Sequence, residues 1–552
     1  MHFPWTKHYD AHVPPVLEYP DSTIGELFDE SVRKHGSRIA VQFMGKKISY
    51  DSMEKDAASL AVHLSSKGVR PGDRVFLLLP NTPHFVAAYY AVMKIGAVVV
   101  PASPLDTAPE IQYKIRNSGA RVAVFLDLLF ESLEPSLPLL EAAVGCDLSD
   151  YLPFPKNYLF PIKKRRLGRK MPPYNEKVIR FSEILKVKET FPCKHSSPDD
   201  LAVIIYTGGT TGISKGVMLS HRALAVNMTQ ARTWGQVTGD DINLCALPFF
   251  HGFGMSIGLN TTFVAGGRML LLPKWDAGQA IRHFEKDGVT LFAAVPTMYN
   301  SILNHPDFSR MKNARLRGCY VGAAPVPESL KEEFFRRTGG ILIEGYGLTE
   351  AVTAKSANPY IGKKKEKSIG IPWPDTEFRI VDEITGEASA PGVEGEIILR
   401  SPDLMMGYWQ NPEATDEVLR DGWLFTGDIG RMDEDGYFYI VDRKKDLIIS
   451  GGFNVYPSEI EEVLYSHPSV LEACVIGVRD THKGEIPRAY VVLRQGERED
   501  ANSLMEFLGV RLIHYKVPRS FIFKDALPKS PIGKILRKEL RAADPDVGSS
   551  RG

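Results

Sequence analysis

Residues 206–216, YTGGTTGISKG, follow the apolar run LAVIIY (201–206) and precede a segment that begins with Ser220, a good helix N-cap. The glycine-rich loop is therefore predicted to lie between a strand and a helix. Backbone N–H groups without a neighbouring Cβ, together with threonine hydroxyls, can hold phosphate oxygens there. The Walker pattern needs Gly-Lys-Ser/Thr in sequence, whereas two residues separate Gly212 from Lys215 here. We interpret the loop as a flexible flap over the phosphates of a nucleotide.

Similar short apolar runs recur before residue 375, with helical stretches between them. Several are continuous rather than alternating, as is typical of buried parallel strands. They are VFLLL (75–79), AVVVP (97–101), VAVFL (122–126) and MLLLP (269–273). The longest apolar stretch, 85–100, is interrupted by Lys94 and Gly96, and a membrane span needs about 20 apolar residues, so it predicts a helix leading into a buried strand. Alternating strands and helices predict a large α/β region.

The pattern changes past about residue 375. The runs EFRIVD, GEIILR and GYFYIVD are shorter, alternating strands separated by acidic and glycine turns, which indicates an antiparallel sheet. A compact segment of mixed α+β pattern follows Arg443 and ends in a basic tail. We therefore predict two domains, residues 1–443 and 444–552.

Composition restricts the possible classes of protein. The 552 residues are too many for one core, and the formal net charge of zero selects no nucleic acid or acidic partner. Five scattered cysteines, an odd number without metal spacing, favour a reducing compartment over a disulfide framework or a zinc site. The first residues, MHFPWTKHYDAHVPP, lack the apolar core of a signal peptide. We expect a cytoplasmic protein that is soluble or at most peripheral to a membrane.

One segment, KNYLFPIKKRRLGRK (156–170), carries seven basic residues, no acidic residue, and the apolar residues Tyr158, Leu159 and Phe160 among them. The simpler interpretation is a solvated loop. The alternative is a patch that binds the surface of an anionic membrane.

Four further stretches suit nucleotide chemistry, although each is weak alone. Thr349 and Glu350 in EGYGLTE suit a phosphate oxygen and a Mg²⁺ ion, but such a pair is more often a surface feature or a helix cap. Asp428 in GWLFTGD suits a ribose diol, and Arg443 follows in VDRKKD. Lys534 stands on a glycine turn before a basic helix, and by itself would be interpreted as solvent-exposed.

Taken together, these stretches resemble the adenylate-forming superfamily, which contains acyl-CoA synthetases, firefly luciferase and peptide-synthetase adenylation domains. The resemblance runs from about residue 20 to 543 with the motifs in order, and residues 421–461 look like the fatty-acyl-CoA synthetase signature. Gly208 and Ser214 stand where many members have Ser and Pro. The resemblance implies an α/β fold, with a large N-terminal region of two α/β subdomains plus a distorted β-barrel, and a small mobile α+β lid.

The resemblance also implies a set of site residues. The flap would comprise Thr207, Gly208, Gly209, Thr210, Thr211, Gly212 and Lys215. The adenine-binding wall would comprise Gly322, Ala323, Ala324, Glu344, Gly345 and Tyr346. Thr349 would bond the α-phosphate, while Asp428 and Arg443 would hold the ribose, with Ile440 beside the nucleotide. Glu350 with Thr210 or Thr211 would hold Mg²⁺.

The implied reaction has two steps, and its co-substrates are ATP, with Mg²⁺, and coenzyme A. A fatty acid carboxylate attacks the α-phosphate of ATP, giving acyl-adenylate and pyrophosphate, with Lys534 bridging the two anions. A thiol then displaces AMP after the lid rotates about Lys445, which brings Gly452 to the path of the thiol. His251 would position or gate the acyl chain, although without the resemblance it would be interpreted as a packed core histidine.

We expect a medium- to long-chain fatty acid as substrate, because no tryptophan follows His251 within HGFGM and the glycines Gly252 and Gly254 are expected to leave space and flexibility. An aryl acid, as in coumarate ligases, and a carrier protein as acyl acceptor remain alternatives. A non-catalytic sensor is disfavoured, because a binding protein needs no lysine at the reacting phosphate.

Overall fold

The computed structural model describes residues 3–187, 189–193, 196–207, 214–311, 314–322, 328–382, 384–450, 453–530 and 533–547. The chain divides into two compact units. The first comprises Met1–Glu377 and Arg400–Leu424, and the second comprises Phe378–Leu399 and Phe425–Gly552. The domain boundary expected at residue 443 stays a proposal.

The strands are, in chain order, β1 (Ile39–Phe43), β2 (Lys46–Ser49), β3 (Arg74–Leu78), β4 (Val98–Pro101), β5 (Val122–Leu126), β6 (Ala142–Cys146), β7 (Val178–Arg180), β8 (Leu201–Thr207), β9 (Lys215–Ser220), β10 (Ile242–Cys245), β11 (Arg268–Leu271), β12 (Leu291–Ala294), β13 (Gly318–Val321), β14 (Ile341–Gly347), β15 (Ala354–Ala357), β16 (Ile371–Pro372), β17 (Glu377–Val381), β18 (Gly395–Arg400), β19 (Gly407–Tyr408), β20 (Leu419–Arg420), β21 (Trp423–Met432), β22 (Phe438–Arg443), β23 (Ile448–Ser450), β24 (Phe453–Val455), β25 (Val470–Asp480), β26 (Gly484–Leu493) and β27 (Ser520–Phe523).

The α-helices are α1 (Ile24–His35), α2 (Tyr50–Ser66), α3 (Pro83–Ile95), α4 (Ala108–Ser118), α5 (Phe130–Leu133), α6 (Lys156–Arg165), α7 (Phe181–Ile184), α8 (His221–Trp234), α9 (Thr261–Val264), α10 (Ala277–Lys286), α11 (Pro296–Leu303), α12 (Glu328–Thr338), α13 (Pro412–Val418), α14 (Pro457–Tyr465), α15 (Ala501–Gly509) and α16 (Arg537–Ala543).

Two sheets form the first unit. In one the order is β19-β9-β8-β4-β3-β5-β6-β7, and in the other it is β16-β15-β14-β13-β12-β10-β11-β1-β2. The central strands of both are parallel, and β2, β9, β15, β16 and β19 pair antiparallel. The continuous apolar runs are these buried parallel strands, as the sequence predicts. The α/β architecture is confirmed.

The long apolar stretch before Pro101 is the helix α3 followed by the buried strand β4, as predicted. Pro83 opens the helix at a position where its missing N–H is not needed, and Gly96 ends it with a φ of +75°, which favours glycine. Among the described residues, no helix is both long and apolar enough to cross a bilayer.

The glycine-rich loop lies between two strands, so the prediction that it joins a strand directly to a helix is wrong. β8 and β9 pair antiparallel on either side of it, with Tyr206 opposite Gly216 and Thr207 opposite Lys215. The run KGVMLS extends as β9 because it can pair with both β8 and β19. Ser220 does cap α8, since its hydroxyl accepts a 3.1 Å hydrogen bond from the Ala223 N–H.

The second unit also contains two groups of paired strands. The strands β17, β18 and β21 are neighbours, and β22 pairs antiparallel with β21. The short strand β20 lies in the first unit and pairs with Trp423 and Leu424 at the start of β21. Within the described residues the first and last strands of this sheet do not pair with each other, so the sheet does not close into the expected distorted barrel. The other sheet has the order β24-β23-β26-β25 with β27 beside β26, and α14 and α15 pack on it around Ile460, Leu464 and Leu504.

Candidate active site

The ends of the glycine-rich loop are fixed by polar contacts within the first unit. The Tyr206 hydroxyl donates a 2.6 Å hydrogen bond to Asn117, and the ammonium of Lys215 lies 4.9 Å from the centre of the Tyr408 ring. Such a cation–π contact holds the lysine without neutralising its charge. The flap residues Gly208, Gly209, Thr210, Thr211 and Gly212 lie outside the described residues.

Glu350 lies in a short 3₁₀ turn, Thr349–Ala351, immediately after β14. Its carboxylate accepts a 2.7 Å hydrogen bond from the Tyr408 hydroxyl, and its backbone carbonyl accepts a 2.8 Å bond from the Met405 N–H. Burial, and then the charge of Glu350, raise the pKa of Tyr408, so this phenol stays protonated and acts as a donor. Thr349, in the same turn, is buried. The turn therefore presents a hydroxyl and an oriented carboxylate side by side.

The segment that carries His251 packs against the chain just after the Thr349–Ala351 turn, through the contact of Gly252 with Val352. A Cβ at Gly252 would overlap the carbonyl oxygen of Val352, a residue that itself adopts a φ of +64°. The Nδ1 atom of His251 accepts a 3.2 Å hydrogen bond from the Phe253 N–H, and the ring is half-buried. The segment that carries His251 is thus packed directly against the segment that carries Thr349 and Glu350.

The expectation that Gly252 and Gly254 provide space and flexibility is wrong. A Cβ at Gly254 would overlap the carbonyl oxygens of Leu247 and Pro248, and Met255 is fully buried. Both glycines are needed because backbone packs against backbone at these points. From the second of these glycines the chain forms a π-helix, Gly254–Asn260, an irregular turn that is often found at functional sites.

The expected adenine wall is partly described. β13 and β14 are parallel, so Gly322, just after β13, and Gly345, in β14, meet at the same sheet edge. A Cβ at Gly322 would lie 3.2 Å from the Gly345 carbonyl oxygen and 3.6 Å from the Phe253 ring. Tyr346, the next residue of β14, is buried.

Glu344 is also buried on β14, and its carboxylate lies 2.9 Å from the ammonium of Lys331 on α12. This ion pair fixes the Glu344 carboxylate on the strand that carries Gly345. The remaining expected wall residues, Ala323 and Ala324, lie outside the described residues.

In the second unit, Asp428 and Arg443 face each other on paired strands. Their Cα atoms are register partners of β21 and β22, and the guanidinium lies 2.9 Å from the carboxylate. Asp428 is buried, whereas Arg443 is half-exposed. Ile440, on the same strand as Arg443, pairs with Gly430 and is exposed. A buried acid beside an accessible guanidinium can bind a diol, since the acid accepts hydrogen bonds and the cation donates them.

Lys534 follows a turn in which Gly533 has a φ of +79°, and its backbone N–H donates a 3.1 Å hydrogen bond to the Ser530 hydroxyl. Its side chain is exposed, and repulsion by the cation of Arg443 is the leading cause that lowers the pKa of Lys534 to about 8. Asp428 opposes this shift. The structure therefore places Lys534 in the electrostatic field of the Asp428–Arg443 pair.

Lys445 lies in the short 3₁₀ helix Lys444–Asp446 and is exposed. The next residue, Asp446, is buried and accepts hydrogen bonds from Arg537 at 2.7 Å and Arg541 at 2.8 Å, both on α16. Asp446, the residue after Lys445, is therefore held to α16. Gly452 lies outside the described residues.

Sequence reasoning missed Tyr408 and Lys331, because nothing near either residue marks it as the partner of a glutamate. The Glu350 carboxylate fits Mg²⁺, which binds one or two carboxylates together with substrate phosphates and water. Among the described residues there is no group of three or more His, Cys, Asp or Glu side chains that could hold a metal ion.

Comparison with known proteins identifies the family to which this sequence belongs. The sequence profile described as "AMP-binding enzyme" matches residues 28–409, and the profile of the C-terminal domain of the same enzymes matches residues 459–534. The chain belongs to the AMP-binding enzyme family. In this AMP-binding enzyme, the first profile covers Glu350, Tyr408 and the glycine-rich loop, and the second ends at Lys534.

This AMP-binding enzyme is similar over nearly its whole length to proteins of known activity. It is 41% identical to a long-chain-fatty-acid–CoA ligase from Bacillus subtilis over 97% of each chain. It is 36% identical to a feruloyl-CoA synthase from Amycolatopsis sp, covering 91% of this chain and 95% of the other. The crystal structure of ATP-bound MatB from Rhodopseudomonas palustris matches with a TM-score of 0.83 and 30% identity, covering 94% of this chain and 99% of that one.

Proposed function

We propose that the protein is a fatty acid–CoA ligase that converts a medium- to long-chain fatty acid, ATP and coenzyme A into acyl-CoA, AMP and pyrophosphate. The observation that carries the proposal is the 41% identity, over 97% of the chain, to a long-chain-fatty-acid–CoA ligase. The ligase uses ATP, Mg²⁺ and coenzyme A. A carboxylate oxygen is a poor leaving group, so the acid must first become a mixed anhydride with AMP.

In the proposed first step, the carboxylate attacks the α-phosphate of ATP and pyrophosphate leaves. Because two anions approach each other, a cation must lie between them. We assign this role to Lys534, with Thr349 bonding the α-phosphate and Asp428 and Arg443 holding the ribose. The cation of Arg443 is the leading cause of the lowered pKa of Lys534, and Lys445 and Arg537 add to it. An anion bound beside Lys534 would offset this repulsion, which supports the assigned role.

Mg²⁺ would be held by Glu350 together with Thr210 or Thr211. When bound, the ion supplies positive charge to the phosphates. The 2.7 Å hydrogen bond from Tyr408 leaves the other lone pairs of the Glu350 carboxylate available and fixes its orientation. Lys215 and the remaining flap residues would hold the β- and γ-phosphates.

In the proposed second step, the thiol of coenzyme A attacks the acyl carbon and AMP leaves with its electron pair. Lys534 has no role in this step. We propose that the chain turns at Lys445 between the two steps, and that Gly452 then borders the thiol path. The bonds from Arg537 and Arg541 to Asp446 support this assignment, because they keep residues beyond the hinge together. His251 would position the acyl chain.

The acyl substrate is the finer part of the proposal. Each buried methylene contributes about 0.8 kcal/mol, so removing three or four from the chain lowers specificity by about 60- to 200-fold. We expect kcat/KM to be highest for octanoate or palmitate and to fall below about six carbons. An aryl acid is the second candidate, because the feruloyl-CoA synthase is 36% identical to this chain.

The test is pyrophosphate release from ATP with acetate, octanoate, palmitate or 4-coumarate, each with and without coenzyme A. Pyrophosphate release with palmitate that continues through many turnovers only when coenzyme A is present supports the ligase. Preference for acetate or 4-coumarate would overturn the fatty-acyl assignment and leave adenylation intact. Turnover that requires a carrier protein would indicate an acyl-AMP ligase, and no release with any acid would indicate a sensor.

We further propose that the protein is cytoplasmic and contacts an anionic membrane peripherally. Long-chain fatty acids are poorly soluble and partition into bilayers, so an enzyme that uses them gains from staying near a membrane surface. The basic segment 156–170 supports this placement.

A further inference from the structure

The segment 156–170 begins as a helix, not as the solvated loop that the simpler interpretation expects. α6 spans Lys156–Arg165 and contains no buried residue. Five apolar side chains on and beside it are 52–81% exposed: Phe154, Tyr158, Leu159, Ile162 and Leu167. Scattered apolar residues are normal on a protein surface, but such a group within fourteen residues of chain indicates an interaction site.

The apolar and basic residues of α6 share one face. At about 100° per residue, Tyr158, Leu159 and Ile162 fall on the same half of the helix. Lys163 and Arg165 fall on the two margins of that half. On the opposite half, Asn157, Phe160, Pro161 and Lys164 are less exposed, whereas Lys156, beside Lys163 at the margin, is exposed. The outward face is therefore an apolar ridge between two basic margins.

Lys164 attaches the helix to the first unit and is not available to a partner. Its ammonium lies 2.5 Å from the Asp127 carboxylate and also contacts Asp147, and its side chain is only 10% exposed. Lys170 is likewise paired, at 2.6 Å from Glu134. These two lysines must be removed from the basic cluster that the sequence alone suggests.

Five basic residues of the segment remain. Lys156 and Arg169 donate hydrogen bonds to the backbone carbonyls of Met44, at 3.4 Å, and Leu128, at 3.5 Å. Lys163, Arg165 and Arg166 are exposed, and no carboxylate partner is found for them within the described part of the chain. The positive charge that Lys164 and Lys170 do not account for favours an anionic partner.

We propose that this face, defined by Phe154, Tyr158, Leu159, Ile162, Lys163, Arg165, Arg166 and Leu167 and called here the α6 ridge, inserts into the interface of an anionic lipid bilayer. The inference deepens the membrane contact proposed above and rests on it. The apolar side chains enter the boundary between headgroups and acyl chains, while the long basic side chains extend to lipid phosphates. Anionic lipid is favoured because the exposed basic side chains lie beside the apolar ones, so that they can reach lipid phosphates while the apolar side chains enter the bilayer boundary.

Two triple variants test the two components separately. The apolar variant is Tyr158→Ser/Leu159→Ser/Ile162→Ser, and the charge variant is Lys163→Gln/Arg165→Gln/Arg166→Gln. Their matched controls change exposed residues of the same kind outside the α6 ridge, namely Val16→Ser/Ile361→Ser/Ile384→Ser and Arg33→Gln/Arg116→Gln/Lys524→Gln. Circular dichroism and urea titration establish that each variant is folded.

Binding is measured by flotation with vesicles of phosphatidylglycerol and phosphatidylcholine, and with phosphatidylcholine alone. Each basic residue at an anionic surface contributes roughly fivefold to partitioning, so the charge variant should lose about a hundredfold. The apolar variant should lose at least tenfold, and both controls should bind as the unmodified protein does. Binding should weaken with salt and nearly vanish on phosphatidylcholine vesicles.

Insertion has its own readout, which also serves if a triple variant fails to fold. Tryptophan fluorescence of Ile162→Trp should be quenched by brominated lipid beyond the quenching of the unmodified protein. Tryptophan in place of Ile384, which is 95% exposed, should add no quenching. Equal quenching of the two variants contradicts insertion.

Other outcomes overturn the proposal. These are no binding to anionic vesicles, salt-insensitive binding, or apolar-variant binding equal to that of the unmodified protein. If the unmodified protein forms a dimer, the apolar variant is a monomer and neither binds vesicles, the partner of the α6 ridge is a second copy of the chain. Acyl-CoA formation from octanoate without vesicles separates the two proposals. Catalysis without vesicle binding overturns the α6 ridge and the membrane contact but leaves the ligase, and binding without catalysis overturns only the ligase.

Discussion

The ammonium of Lys355 contacts the carboxylate of Asp403, and both side chains are fully buried in the first unit. Lys355 also donates a 2.6 Å hydrogen bond to Gln230, and Asp403 accepts one of 2.9 Å from Asn227. Asn227 in turn accepts a 2.5 Å bond from Ser256 of the π-helix. This network joins the strand after the Glu350 turn, the segment before Tyr408, and the helix that follows His251.

Lys355→Met should lower the free energy of unfolding by about 3–5 kcal/mol, because it leaves the Asp403 carboxylate buried without a cation. Asp403→Leu should have a similar cost. The double variant should recover part of the loss, since removing both charges removes the unpaired one. Urea unfolding of the four proteins measures the coupling, and additive losses would contradict a direct energetic link between the two side chains.

Tyr408→Phe should raise the Mg²⁺ concentration needed for adenylation by about 10-fold or more, because Glu350 loses the donor that orients it. The ring that contacts Lys215 remains. Tyr151→Phe is the matched control, since it removes a 2.6 Å phenol–carboxylate bond to Asp56 elsewhere in the first unit. Glu350→Gln should have a larger effect than Tyr408→Phe. If the Mg²⁺ dependence is unchanged in both site variants, Glu350 does not bind the metal.

Lys534→Ala should reduce pyrophosphate release by at least 10²–10³, a typical cost of losing one preorganised donor. Supplied with preformed acyl-adenylate and coenzyme A, the same variant should still make thioester at near the original rate. Lys529→Ala is the control, because it removes a lysine of the same segment that pairs with Glu472. An equal loss in both half-reactions would show that Lys534 is not specific to the first step.

The pH dependence of adenylation should show an alkaline limit near pH 8. Bridging two anions needs the protonated lysine, and the cation of Arg443 lowers the pKa of Lys534 to about 8 in the free protein. Because kcat/KM reports the free enzyme, kcat/KM for ATP should fall above that pH. Lys534→Arg, which stays protonated, should lack this limit in its residual activity. The same limit in thioester formation from preformed adenylate would assign it to another group.

Lys445→Pro should preserve adenylate formation and suppress thioester formation, because proline restricts φ at the proposed hinge. Lys445→Ala, which removes the charge but keeps the backbone free, should retain both half-reactions. Single-turnover measurements of each half-reaction distinguish the two variants. Full overall turnover by Lys445→Pro would place the hinge elsewhere.

The amino-acid sequence by itself determined the fold class, the positions of several strands and the reaction. Buried parallel strands are continuous apolar runs, so β3, β4, β5, β8 and β11 could be predicted from local composition. The roles of the motif residues stay predictions, and they rest on the chemistry of a phosphate or a ribose, which selects residue types within short segments. The strand β9 was missed, since its pairing with both β8 and β19 decides its structure.

Only the tertiary structure decided which of these residues have partners. Tyr408 reaches Glu350 across 58 positions because β19 pairs with β9 in one register. Gly252 packs on Val352, so the glycines after His251 are tight contacts where the sequence suggested free space. Lys164 turns inward to Asp127, while Lys163 and Arg165 face solvent. Composition gives every lysine in a run the same chemistry, but helix geometry and long-range packing determine which are paired and which remain exposed.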